Sequence, residues 1–311
     1  MTKQIRVALV GFGKIARDQH VPSIAANPRL ELAATSSRSG EGPAPRFEDW
    51  RALIAAANEL ALDAVVITTP PAPRYEIASA CLDAGLNVMI EKPPTVGLGE
   101  INDLSSIAAA NGVTLYCAWH ARHHPAVDAA AGLLAHRRIS ELRICWHESV
   151  HKWHPGQRWI WEPGGFGVFD PGINAFSILT RIFPGPLFVR SADLSFPGNA
   201  HTPAKADIRF SSPVAEGTLS CSLDFLRPND EEWTIDVRTE DGIEVRLEQG
   251  GARLLVDGHE RPLALGDEYA GVYREFVDLI DRGESDPDAS PLQIVSDCLL
   301  VGRRLPIADV Q

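Results

Sequence analysis

The chain has 311 residues, 45% hydrophobic and 23% charged, with a formal net charge of −12. That length allows two domains with cores of their own, and the acidic balance excludes nucleic acid or an anionic membrane as a main partner. The five cysteines (Cys81, Cys117, Cys145, Cys221, Cys298) form no C-x-x-C pair, so neither a disulfide framework nor structural zinc is expected, and a reducing cytoplasm fits. The N-terminal apolar run is too short for a signal-peptide core, and no later run is long enough to span a bilayer.

Strands are expected over 5–10, 30–35, 64–68, 87–90 and 114–118. The first four are mostly continuous apolar runs, as in strands covered on both faces. Ala-rich stretches at 50–60 and 75–84 supply connecting helices, so strand–helix repetition predicts an α/β fold with a doubly wound parallel sheet. Around His123-His124-Pro125 the character changes. A helix over 126–135 precedes strands at 141–150, 188–195, 206–210, 217–225, 233–239, 242–248 and 252–256. Several are joined by Gly- or Asp-containing turns suited to antiparallel hairpins. A helix over 170–182 is inserted among them, and 269–280 and 292–305 read as closing amphipathic helices.

Gly11-Phe12-Gly13-Lys14-Ile15-Ala16 is G-x-G-x-x-A between a strand and a helical segment. The glycines allow a tight turn and close approach of backbone N–H groups to a pyrophosphate, and the helix start adds partial positive charge. The second strand ends Ala34-Thr35-Ser36-Ser37-Arg38, without the carboxylate that usually binds a ribose 2′-hydroxyl. Glu31 lies near the strand's start and should point elsewhere. Small hydroxyls and a guanidinium accept a 2′-phosphate, so NADP is expected to be preferred, with NAD tolerated.

Together with this cradle, Asp63-Ala64-Val65-Val66-Ile67-Thr68-Thr69-Pro70, Glu91-Lys92-Pro93, Gly164-Gly165, Asp170 and Asn174 resemble the glucose–fructose oxidoreductase / inositol 2-dehydrogenase family. The resemblance spans essentially the whole chain and is nearest to bacterial aldose 1-dehydrogenases acting on L-arabinose or D-galactose. It implies a Rossmann domain over 1–122 and a substrate and oligomerisation domain over 123–311 with an open, mostly antiparallel sheet, whose last helix could pack back on the first domain. The active site would lie between them, and the sheet's outer face would join subunits. The resemblance extends the cofactor contacts to Thr69, Pro70, Glu91 and Lys92. Asn174 and Arg74 stand where the family usually has histidine, and Ser37 replaces the common second-strand acid.

Oxidation of an aldose at C1 needs a base for the hydroxyl proton beside the hydride acceptor. Asp170 and Asn174, spaced i, i+4, share a helix face, and Lys92 ends a strand where α/β sheets bind ligands. Asp170 is taken as general base and Lys92 as electrostatic partner, with the reverse assignment open because the two would titrate as a pair. Five of the seven tryptophans (Trp119, Trp146, Trp153, Trp159, Trp161) cluster, and indoles suit sugar C–H faces. Glu148 is expected to alternate with Trp146 and Val150 along a strand. The resemblance supports His120, Glu148, Trp153, His154 and Asn174 as sugar contacts and Trp233 as a further wall. No metal site is expected, because His120, His123, His124, His151 and His154 lack cysteine or paired-carboxylate partners. The competing readings are another polyol, cyclic diol or imine as substrate, and a non-catalytic NADP-binding sensor.

Overall fold

The computed structural model describes residues 3–39, 41–43, 45–264 and 266–310. The chain divides into two compact units: Met1–His120 with Asp267–Ala289, and Ala121–Gly266 with Ser290–Gln311.

The first unit is built on six strands: β1 (Ile5–Val10), β2 (Leu30–Ser36), β3 (Arg46–Phe47), β4 (Ala64–Ile67), β5 (Asn87–Glu91) and β6 (Leu115–Ala118). Their order is β3-β2-β1-β4-β5-β6 and every adjacent pair is parallel. The order reverses between β1 and β4, which places a switch point at the C-terminal end of β1. All four residues of β4 are fully buried, as expected for a strand covered on both faces. Helix Glu268–Arg282 is distant in sequence but belongs to this unit. The Asp267 side chain accepts from the Ala270 N–H at 2.9 Å, and Gly283 ends the helix with φ 65°. Its Val272, Tyr273, Phe276 and Val277 join Val7, Leu9, Ile24, Val66 and Tyr116 in one apolar core.

The second unit holds β7 (Ile139–His147), β8 (Phe188–Pro197), β9 (Lys205–Ser211), β10 (Ala215–Asp224), β11 (Glu232–Thr239), β12 (Glu244–Glu248), β13 (Arg253–Val256), β14 (His259–Glu260) and β15 (Arg303–Ile307). The sheet order is β14-β13-β12-β11-β7-β10-β9-β8-β15. The β7–β10 and β8–β15 pairs are parallel and the others antiparallel. Leu142, Ile144, Leu219, Leu223, Ile235 and Val237 are buried at alternate positions. Helix Phe169–Ile182 packs there, with Phe176 against Phe210 at a ring separation of 6.5 Å. On the opposite face Arg209, Ser220, Arg143, Asp236 and Arg246 stand in one cross-strand row.

Two expected elements are corrected. The helix over 292–305 is instead helix Ser290–Val301 followed by β15. Gly302 makes the break: a Cβ there would lie 2.3 Å from the Cys298 carbonyl oxygen. Pro306 is tolerated because β15 is an edge strand. The strand expected over 141–150 ends at His147, and Val150–Trp153 forms a short helix. Among the described residues no helix is long and apolar enough to cross a membrane.

Candidate active site

The first unit carries the dinucleotide elements. Gly11 has φ 95°, and a Cβ on it would sit 2.8 Å from the Thr69 nitrogen, so only glycine lets the loops after β1 and β4 approach. The Thr68 hydroxyl donates to the Gly11 carbonyl at 2.7 Å. A Cβ on Gly13 would meet no protein atom within 4 Å, so packing within the chain does not demand glycine there. The open side suits close approach of a ligand's phosphates. Helical structure begins at Lys14, whose ammonium pairs with Asp18; Phe12 accepts from Arg17 at 3.0 Å, and Ile15 is exposed. Thr69 Oγ1 is buried and has no hydrogen-bond partner among the described residues, and the adjacent Pro70 is exposed. These residues fit a nicotinamide dinucleotide. At the end of β2, Ser37 Oγ binds within its own turn, 3.1 Å from the Glu41 carbonyl, while Arg38 is exposed. Glu31 is committed to Arg6.

Lys92 follows β5 directly at the C-terminal edge of this sheet. The side chain of Glu91 turns into the interior. Its Oε1 accepts from the Tyr269 hydroxyl at 2.5 Å and lies 3.2 Å from His20 Nε2, and His20 Nδ1 is 2.8 Å from the Tyr273 hydroxyl. Burial works against a charge on Glu91, but the hydrogen bond and charge of His20, the charge of His120 and the Tyr269 hydroxyl outweigh it and hold the carboxyl at about 2. His120 stacks on Tyr269 at 5.3 Å and binds Glu268 through Nδ1. Burial opposes its protonation, as does Lys92, yet the Glu268 carboxylate prevails and raises its pKa. Arg74 is buried and donates to the carbonyls of Thr69, Glu91 and Pro93.

The second unit carries the other half of the expected set. Gly164 and Gly165 form the turn before helix Phe169–Ile182. A Cβ on Gly165 would fall 2.3 Å from the Trp159 carbonyl oxygen and 2.4 Å from that of Ile160, so no side chain fits. Asp170 is the second residue of the helix, one place further in than expected, and Val168 occupies the cap position. Asp170 is 3% exposed, and its Oδ2 lies 3.2 Å from His154 Nε2. Asn174, one turn on, is partly exposed within an otherwise buried run. Glu148 has left the strand but still meets β11: Trp233 Nε1 donates to its Oε2 at 2.9 Å. Trp153 lies edge-on to Trp233 at 5.9 Å and donates to Glu231 Oε1 at 2.6 Å. Carboxylates thus hold both indole N–H groups and fix the rings. A cavity of about 460 Å³ in this unit is lined by His151, His154, Gln157, Arg158, Trp161 and His201, so His154 from the set the resemblance supports, and Trp161 from the tryptophan cluster, stand on its wall.

The structure therefore groups the expected cofactor contacts with Lys92 and His120 in one unit, and Asp170, Asn174, Glu148, Trp153, His154 and Trp233 in the other. Glu231, Glu268 and the carbonyl contacts of Arg74 were not anticipated. Apart from the Thr69 carbonyl, five residues from Arg74, their partners lie 17 to 148 residues away in sequence, beyond the reach of any local pattern.

The model of the oxidoreductase family with an NAD-binding Rossmann fold matches residues 5–118. A galactose 1-dehydrogenase from Pseudomonas fluorescens is 42% identical over 304 residues, which cover 97% of each chain. The crystal structure of a D-galactose-1-dehydrogenase protein from Rhizobium etli superposes with a TM-score of 0.93 at 40% identity, over 100% of this chain and 99% of that one. A 3-ketoreductase from Actinomadura kijaniata, solved with NADP and TDP-benzene, shares the fold with a TM-score of 0.84 at 19% identity, over 98% and 100%.

Proposed function

The chain belongs to the glucose–fructose oxidoreductase / inositol 2-dehydrogenase family of NAD(P)-dependent oxidoreductases acting on a CH–OH group, and from that premise we propose that it oxidises D-galactose and L-arabinose at C1 to the aldonolactone, with NADP preferred and NAD accepted. The observation that carries this reading is the near full-length 42% identity to a galactose 1-dehydrogenase.

The bound dinucleotide supplies the hydride acceptor. Gly11, Phe12, Gly13, Lys14 and Ile15 hold its pyrophosphate; Ser37 and Arg38 meet the adenosine ribose and its 2′-phosphate; Thr69, Pro70 and the backbone around Glu91 flank the nicotinamide. Arg38 supports NADP because it is exposed at the end of a strand that offers no acid there. Asp170 takes the proton of the anomeric hydroxyl, and the Lys92 ammonium stabilises the developing alkoxide. His154, within 3.2 Å of Asp170, holds that carboxylate in place. Asn174 hydrogen-bonds a sugar hydroxyl and cannot titrate. Trp153 and Trp233 pack on the sugar's C–H face, with Glu148 and His120 on its hydroxyls. The subunits associate through the charged outer face of the second sheet, and the setting is the cytoplasm. A sedimentation profile containing monomer alone would refute the association.

The test is the growth of NADPH or NADH absorbance with L-arabinose, D-galactose, D-glucose, D-xylose and myo-inositol. The first two should give the highest kcat/KM. Arg38→Ala should lower the NADP-to-NAD ratio of kcat/KM by on the order of tenfold. No turnover of any sugar would overturn the activity, and an unchanged ratio would overturn the role of Arg38.

A further inference from the structure

We propose that Arg74 is the positioning residue for Lys92. Its guanidinium locks the loop after β4 to the turn after β5 and so sets where the reactive ammonium stands. The proposal rests on the reading of Lys92 as an active group. Arg74 Nε donates to the Thr69 carbonyl at 2.8 Å, and Nη1 donates to the carbonyls of Glu91 and Pro93. Two of these carbonyls bracket Lys92, one residue on either side. The third belongs to the segment that also carries Pro70 and the buried Thr69 hydroxyl, which has no hydrogen-bond partner among the described residues.

Three features set this apart from an ordinary surface arginine. Arg74 is 5% exposed, so its charge is removed from water and must be met by fixed partners. It is the first residue of helix Arg74–Asp83, where the macrodipole disfavours a cation, so local helix preference does not explain it. And its donors diverge in the plane of a rigid fork, which lets one side chain reach carbonyls on two loops at once; an ammonium is a single point. Loops at the C-terminal edge of such a sheet are where positional freedom is greatest, and a group acting on a substrate must be held to about 0.5 Å.

The experiment compares full-length wild type, Arg74→Lys and Arg74→Gln for thermal melting, NADPH affinity by fluorescence titration, kcat and sugar KM. We expect a folded Arg74→Lys variant with weakened NADPH binding. Its kcat should fall on the order of 10–100-fold while sugar KM stays within about twofold, because a displaced Lys92 is felt chiefly in the transition state. A residue that merely supports the fold would lower the melting temperature and leave kcat and NADPH affinity of the folded protein unchanged. That result overturns the proposal, as does loss of cooperative melting in both variants. If the wild type oxidises no sugar, the reading of Lys92 fails on its own ground, and NADPH affinity alone then decides whether Arg74 orders these loops.

Discussion

At the scale of single residues, the chemistry assigns different duties to side chains that look alike in the sequence. Glu91 and Lys92 are neighbours, yet the carboxylate faces His20 and Tyr269 in the interior while the lysine stands at the sheet's C-terminal edge. Asp170 is almost wholly buried beside His154, a setting that holds a carboxylate in one orientation. Lys92→Met or Asp170→Asn should therefore lower kcat on the order of 10²–10⁴-fold in a folded protein; steady-state kinetics near the wild-type rate in either variant would remove that residue from the reaction. Lys92 and Asp170 are singled out in the sequence because each sits in a short motif, whereas Asn174 stands where that motif usually has histidine. Arg74 was visible only as a departure from the usual histidine. Its role depends on three carbonyls, and a carbonyl leaves no mark in a sequence.

At the scale of elements, legibility followed burial. β4 is apolar throughout, and β1 and β5 are apolar except for Arg6 and for the end residues Asn87 and Glu91, because both faces are covered, and their runs stood out. β15 did not, since Arg303, Arg304 and Pro306 give it neither a continuous run nor an alternation, and its place is fixed by pairing with β8 over a hundred residues upstream. Glu148, expected inside a strand over 141–150, lies outside it because β7 stops one residue earlier, at His147. Helix Glu268–Arg282 shows the opposite case: its apolar spacing was clear, but spacing could not say which sheet it would join. Phe276 is fully buried in the core of the first unit. Phe276→Ala should cost about 3–5 kcal/mol in chemical denaturation; a loss below about 1 kcal/mol would mean that the helix does not anchor this core.

For the molecule as a whole, the Glu91 network ties stability to pH. Its carboxyl falls from an ordinary 4.5 to about 2 on folding, so the folded state favours the charged form. The resulting stabilisation is fully present above about 4.5 and is lost as pH falls towards about 2. Wild-type melting temperature should therefore drop more steeply over that window than that of Glu91→Gln; parallel curves would mean that Glu91 is not held as described. The chain's family membership rests on the likeness of its full length to known oxidoreductases, whereas the proposed reaction rests on where its hydride originates. The most direct measurement is turnover of D-galactose carrying deuterium at C1, with mass analysis of the reduced cofactor. Oxidation at C1 predicts NADPH bearing the deuterium; NADPH formed without it would contradict the account.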